Sequence, residues 1–297
     1  MSIHALARKP RKPLSEQGKP GRYDPRNTLN DLTGKEWLLL TCSYWITEPG
    51  PLDKTAYRHP APFMVRDVEK LISLFTKKGM TVLDPFAGSA TALIAAVRLG
   101  RKAVGLDLNP RFREMGEKRL AECECHDYTY ILGDAAQTVT NIDSVHYVVT
   151  SPPYHNILRN DGKGIRHYSG KAYRMSARVG VEYYSEDERD LGNQREYSEY
   201  LTGLKSIMKA VYSKLLDKRY CTLIMSDFTV NKTEVCVLSD VVRLMQEVGF
   251  EFVGTTVLIQ PVKPLYPFGY PYAYKINHHH QNIINFLKPG PRKPVRV

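Results

Sequence analysis

Cysteine is scarce in this chain: Cys42, Cys123, Cys125, Cys221 and Cys236 are the only five in 297 residues. An odd, scattered set excludes a disulfide framework and points to a reducing compartment. Cys123, Cys125 and His126 lie close together, but no distant second pair completes a zinc signature. His278-His279-His280 fares no better, because strand alternation would turn His279 away from its neighbours. No metal is therefore expected. No apolar run approaches the roughly 18 residues needed to cross a membrane. The N-terminus lacks the apolar core of a secretory signal. The dinucleotide pattern G-x-G-x-x-G is missing as well. Acidic residues are in deficit, 31 against 42 Lys and Arg, which leaves a net charge of +11. Such an excess concentrates polyanions, so nucleic acid is the natural partner. A membrane surface fits less well, since no long basic amphipathic helix is present.

What is present is an alternation of short apolar runs and helical patterns. At 42% hydrophobic and 25% charged, the chain can bury a core. Residues 1–29 read as a flexible basic arm, with Arg8, Lys9, Arg11, Lys12, Lys19, Arg22 and Arg26 among its prolines. Trp37, Leu38, Leu39, Leu40, Tyr44 and Trp45 are expected to pack on the core. Val68, Leu71, Ile72 and Phe75 fall at helical spacing, and Lys77-Lys78-Gly79 ends that helix. Strands are predicted at Thr81–Leu83, Ala103–Leu106, Tyr128–Leu132 and Val145–Thr150. Helices are predicted between them at about Ala90–Leu99 and Pro110–Cys123. This spacing implies βαβ units and a parallel sheet. After a polar, basic stretch over 155–195, a helix at about Tyr197–Leu216 and a strand at Tyr220–Met225 follow. Then come a helix at Leu238–Val248 and a closing strand pair, Phe250–Gln260 and Gln281–Leu287.

Two loops at strand ends carry the chemistry. Asp84-Pro85-Phe86-Ala87-Gly88-Ser89-Ala90-Thr91 joins a strand to a helix through small residues that let a ligand approach the backbone. Asp107 closes the next strand, where a carboxylate can hold both hydroxyls of a ribose. The alternative is a helix N-terminal acid near Pro110. Asp134 follows Gly133 at the end of the third strand, where it could meet an adenine amine or simply form a turn. Ribose and adenine without phosphate describe an adenosyl sulfonium better than a nucleotide. The second loop is Ser151-Pro152-Pro153-Tyr154. Its prolines fix the backbone and leave carbonyls without local competitors. Hydrogen bonds from a base NH₂ to the Ser151 hydroxyl and the Pro152 carbonyl would free a lone pair otherwise delocalised into the ring. Tyr154 would offer a face for stacking.

These residues resemble the S-adenosylmethionine-dependent amino-group DNA methyltransferases. Asp84-Pro-Phe-Ala-Gly-Ser-Ala-Thr91 is similar to that family's cofactor motif, and Ser151-Pro-Pro-Tyr154 to its catalytic motif. His59-Pro60-Ala61-Pro62-Phe63 resembles the segment that packs on the methionine end of the cofactor. The resemblance implies a doubly wound, Rossmann-like α/β fold. Its seven-stranded sheet is mostly parallel with an antiparallel last strand. It assigns cofactor contacts to Pro60, Phe63, Asp84, Pro85, Phe86, Ala87, Gly88, Ser89, Thr91, Asp107 and Asp134, and catalysis to Ser151–Tyr154. It implies methylation of cytosine N4 or, second, adenine N6 in double-stranded DNA with a flipped target base. It also implies a cytoplasmic, nucleoid-associated protein of a prokaryote or virus, with a cognate restriction endonuclease as a candidate partner. Ala90 departs from the family's glycine, at a cost on the order of 1 kcal/mol if that position needs φ > 0. C5-cytosine chemistry is disfavoured, because no Cys follows Pro. Two rivals stay open: a base-amine methyltransferase of RNA, and an inactive nucleic-acid-binding subunit of the same fold.

The target would be read by an insertion at about 155–196 within a catalytic domain spanning 30–297. Asn156, Arg159, Lys163, Arg166, Tyr168, Lys171 and Arg174 combine phosphate-binding charge with rings for stacking. Pro261–Lys275, rich in Tyr, is either a hairpin on the core or a wall of the base pocket. Asp227 either contacts substrate or caps a turn.

Overall fold

The computed structural model describes residues 21–56, 59, 63–155, 184–230 and 233–291, and the backbone of 165–166 and 172–173. In chain order it forms α1 (Gly34–Leu40), β1 (Tyr44–Ile46), α2 (Val65–Phe75), β2 (Thr81–Asp84), α3 (Thr91–Arg98), β3 (Lys102–Asp107), α4 (Pro110–Glu122), β4 (Tyr128–Leu132), α5 (Ala135–Thr138) and β5 (Val145–Thr150). The two-residue strands β6 (Ile165–Arg166) and β7 (Ala172–Tyr173) pair with each other. There follow α6 (Tyr197–Lys214), β8 (Leu215–Met225), β9 (Phe228–Val230), β10 (Thr233–Val235), α7 (Val237–Val248), β11 (Glu251–Ile259) and β12 (His280–Leu287). The predicted helices and strands recur with ends shifted by one or two residues, except that β8 starts five residues early.

The central sheet has the order β1-β11-β12-β8-β5-β2-β3-β4. β12 is antiparallel to both neighbours, and the other pairs are parallel. The expectation of seven strands is corrected to eight. The additional strand, β1, is three residues long and adds to the β11 edge through Tyr44↔Val257 and Ile46↔Ile259. So short a segment has no periodicity to read.

Helices cover both faces, so the inner strands are apolar on both sides. In β5, Tyr147 and Val149 join the core with α2 and α3, while Val148 joins the core with α6 and α7. Val82 and Leu83 of β2 divide in the same way. The α2 residues singled out by spacing are all buried, each worth about 1.5–3 kcal/mol. The segment before them behaves differently from expectation. Leu40 and Trp45 pack on the core, but Trp37, Leu38, Leu39 and Tyr44 are exposed. α1 has no buried residue, because it lies outside the two layers that flank the sheet.

β2 leads outward to β3 and β4, whereas β5 returns to the other side of β2. The crevice between the ends of β2 and β5 is thus the point where strand order reverses, the usual ligand position of an open α/β sheet.

Candidate active site

Asp84 ends β2 and Thr150 ends β5. The Thr150 hydroxyl donates to Asp84 Oδ1 at 2.5 Å and so ties the two tips together. The Phe86 N–H donates to the same oxygen at 3.0 Å. Asp84 Oδ2 is buried without a partner. Burial raises the carboxyl to about 7, against the lowering effect of the two hydrogen bonds.

The turn after Asp84 is fixed from three sides. The Ala87 N–H bonds the Leu106 carbonyl of β3 at 2.8 Å. The Tyr130 hydroxyl donates to the Gly88 carbonyl at 2.6 Å. From α4, the buried Arg119 guanidinium donates to the hydroxyls of Ser89 and Thr91 at 3.1 and 3.0 Å, and also to the Ser89 carbonyl. Its other nitrogens reach the Thr55 hydroxyl and the Leu52 carbonyl. Gly88 and Ala90 both occupy the left-handed region, at φ 49 and 63. α4 reaches the turn through Gly116, where a Cβ would come within 2.5 Å of the Tyr130 ring.

A cleft enclosing about 680 Å³, part of it open to solvent, lies above the turn. Pro85, Phe86, Asp107, Gly133, Asp134, Ala135, Ser151, Pro152 and Pro153 all line it. The structure therefore brings together parts of both loops and both strand-end acids. Asp107 accepts N–H bonds from Gly88 and Asn109, each at 2.8 Å. Burial, reinforced by the nearby Asp190, raises it to about 6, and those bonds oppose the rise. Asp134 caps α5 by accepting the Ala136 N–H. Its other oxygen lies 3.9 Å from Arg189.

Other expected residues sit elsewhere. Ala87, Gly88, Ser89 and Thr91 do not line the cleft. Ser89 and Thr91 are buried against Arg119, which takes up their oxygens. Phe63 is packed in the hydrophobic core. Tyr154 is not an open stacking face. It is buried edge-on to Phe228, and its hydroxyl accepts from the Ser226 N–H and the Gln281 side chain, both at 3.1 Å. It thereby anchors the Ser151–Tyr154 loop to the β8–β12 side. Asp227 accepts the Leu238 N–H at the start of α7. Pro60, Asn156, Arg159, Lys163, Tyr168, Lys171 and Arg174 lie outside the described residues. Of Arg166 only the backbone is described, in the pair with Ala172.

Sequence reasoning missed several residues of the cleft. His59, which opens the segment expected to pack on the cofactor, was not among the assigned contacts; it packs on Gly88 and against Phe112, with ring centroids 4.4 Å apart. Asn109 caps α4 and binds the Tyr184 carbonyl, which brings the segment after the insertion over the cleft. From that segment Tyr184, Arg189, Asp190 and Leu191 complete the lining. His155 donates to the Gln194 carbonyl at 3.0 Å, so the stretch between them leaves from and returns to the same place. The one available signal was the end of the polar stretch at Asp190-Leu191-Gly192. Among the described residues no group of His, Cys, Asp or Glu could hold a metal, and no helix is long and apolar enough to cross a membrane.

The fold is a doubly wound, Rossmann-like α/β fold. In precorrin-8w decarboxylase of Methanobacterium thermoautotrophicum the same architecture spans 80% of this chain and 98% of that one, with a TM-score of 0.50 at 12% identity. Residues 7–118 match a family model described as DNA methylase, of the N6/N4 type. The chain is 38% identical over 69 residues to the type II methyltransferase M2.DpnII of Streptococcus pneumoniae, covering 23% of this chain and 26% of the relative. It is 34% identical over 102 residues to the type II methyltransferase M2.MboI of Moraxella bovis, covering 34% of this chain and 35% of that relative. The matches thus span only about a quarter to a third of these relatives. The match to the DNA methylase model implies S-adenosylmethionine as the cofactor. The cleft fits it: carboxylates at Asp107 and Asp134 suit hydroxyls and an amine, and Phe86, Leu108 and Phe112 suit a flat ring.

Proposed function

We propose that the protein methylates the exocyclic amine of a base in double-stranded DNA, cytosine N4 first and adenine N6 second. The carrying observation is the Thr150–Asp84 hydrogen bond at the switch point. Beside it, Ser151, Pro152, Pro85 and Phe86 share one cleft, which supports this reading. The bound cofactor supplies a methyl group on a sulfonium, ready for in-line displacement. Ser151 and the Pro152 carbonyl accept the two N–H bonds of the amine and aim its lone pair. Pro153, Phe86 and Leu191 keep water from the reacting atoms. Asp107 and Asp134 orient the cofactor's hydroxyls and amine. Catalysis rests on positioning and hydrogen bonding, without a covalent intermediate. The target base is flipped out of the helix at a cost of a few kcal/mol. The insertion rooted at His155 and Gln194 reads its neighbours through Asn156, Arg159, Lys163, Arg166, Tyr168, Lys171 and Arg174. The arm at 1–29 adds phosphate contacts. A cognate restriction endonuclease and a cytoplasmic setting belong to the same proposal.

The test is nucleoside mass spectrometry after incubating the full chain and cofactor with DNA and, separately, with RNA. N4-methylcytosine in the DNA digest is the expected product. Methylated nucleoside confined to the RNA digest overturns the choice of substrate. No product in either, with DNA still bound, identifies an inactive binding subunit.

A further inference from the structure

Residues 260–279 connect β11 to β12. β11 is antiparallel to β12, which is antiparallel to β8, and β8 is parallel to β5. β11 therefore ends on the sheet edge that carries Ser151, and the connection leaves from that edge. It is built rather than slack. Asn277 clamps its base, accepting the Tyr266 N–H and donating to the Tyr266 carbonyl, each at 2.9 Å. At its tip Gly269 sits at φ 76, and its carbonyl accepts the N–H groups of Tyr272 and Ala273 at 2.7 Å. A side chain at 269 would collide with the Ala273 carbonyl. The far stem is fastened to the catalytic loop through Gln281 and the Tyr154 hydroxyl, and the Ser226 hydroxyl donates to the His280 carbonyl.

This ordered loop nevertheless holds three phenol rings in water: Tyr270, Tyr272 and Tyr274 are 80%, 95% and 88% exposed. None of them lines the cleft. The stretch contains Lys263, Lys275, His278 and His279 and no Asp or Glu. Exposed apolar surface on an ordered element marks a contact site. Rings beside Lys263 and Lys275 suit stacked bases and their phosphates. We propose that residues 261–276 form a stacking platform for unpaired nucleotides when the protein engages a single DNA strand. The inference rests on the nucleic-acid reading above. It adds a second contact surface, outside the pocket that takes the base itself.

Fluorescence anisotropy of the full chain with a labelled 16-nucleotide DNA strand, and with the matching duplex, tests it. The Tyr272→Ala/Tyr274→Ala variant should lose about tenfold or more in single-strand affinity. Tyr272→Phe/Tyr274→Phe should retain that affinity, and calorimetric binding of S-adenosylmethionine should stay unchanged in both. If the wild type binds and methylates DNA and the Ala variant binds the strand equally well, the platform is refuted while the proposed function stands. If the wild type binds neither strand nor duplex, the nucleic-acid reading itself fails. A change in self-association at constant DNA affinity would mark a protein-contact surface and also overturn the proposal.

Discussion

Ala90 offers the sharpest test of the cofactor turn. It caps α3 at φ 63, ψ 25, and is fully buried. An L-residue in this region costs about 1–2 kcal/mol, which Ala90→Gly would recover. Glycine also removes a buried methyl, worth about 0.8 kcal/mol. It frees the unfolded chain as well, costing a further 0.4–1 kcal/mol or so. The terms nearly cancel, so urea unfolding should place the glycine variant within about 1 kcal/mol of wild type. Ala90→Val adds a β-branched side chain in the left-handed region, beside the close approach of Gly116. It should lose about 3 kcal/mol or more. Cofactor affinity of the glycine variant, by calorimetry, should move less than about threefold. Arg119, Tyr130 and Asp107 hold the turn independently of that residue. A valine variant as stable as wild type would show that Ala90 is neither left-handed nor enclosed. A glycine variant stabilised by more than about 2 kcal/mol would show that the strain is misjudged.

Arg119→Met leaves the Ser89 and Leu52 carbonyls without their charged donor. Urea unfolding should show a loss of about 3 kcal/mol or more, and a loss under about 1 kcal/mol would refute the anchoring role. Asp84, at about 7 in the folded chain, stands above its unfolded value of 3.8. The folded state then binds the extra proton, so this contribution to stability is complete below about pH 4 and is lost as pH rises through 7. Asp84→Asn should flatten the decline of Tm between pH 5 and 8, though Asp107, raised to about 6, keeps part of the slope. An unchanged slope would contradict the shift. Ser151→Ala should cut turnover on DNA about a hundredfold while leaving cofactor affinity within about threefold. Equal losses in both would count against its hydrogen bond to the amine.

The longer strands of the sheet, the helices α2, α3, α4, α6 and α7 and the two loops were legible in the sequence, because their signals are local. Buried parallel strands must be apolar on both faces, as Val145–Thr150 is. A helix on a core must repeat its apolar residues every turn, as Val68, Leu71, Ile72 and Phe75 do. Gly88 and the Pro152-Pro153 pair announce their backbone constraints in one or two letters. The site's lining was legible mainly where it sits at a strand end: Asp107, Asp134 and Ser151 were found, and His59 only as part of a motif, whereas Asn109, Tyr184 and Asp190 were not. Tertiary structure alone decided which side of each loop meets the cleft. It put Tyr154 inward, because Ser226 and Gln281, 72 and 127 residues away, bind its hydroxyl. It gave Ser89 and Thr91 to Arg119 rather than to a ligand. It left Trp37 and Leu38 in solvent, and it paired β1 with a strand more than 200 residues downstream. Backbone preference acts within a few residues, but what a side chain touches depends on which elements packing brings beside it.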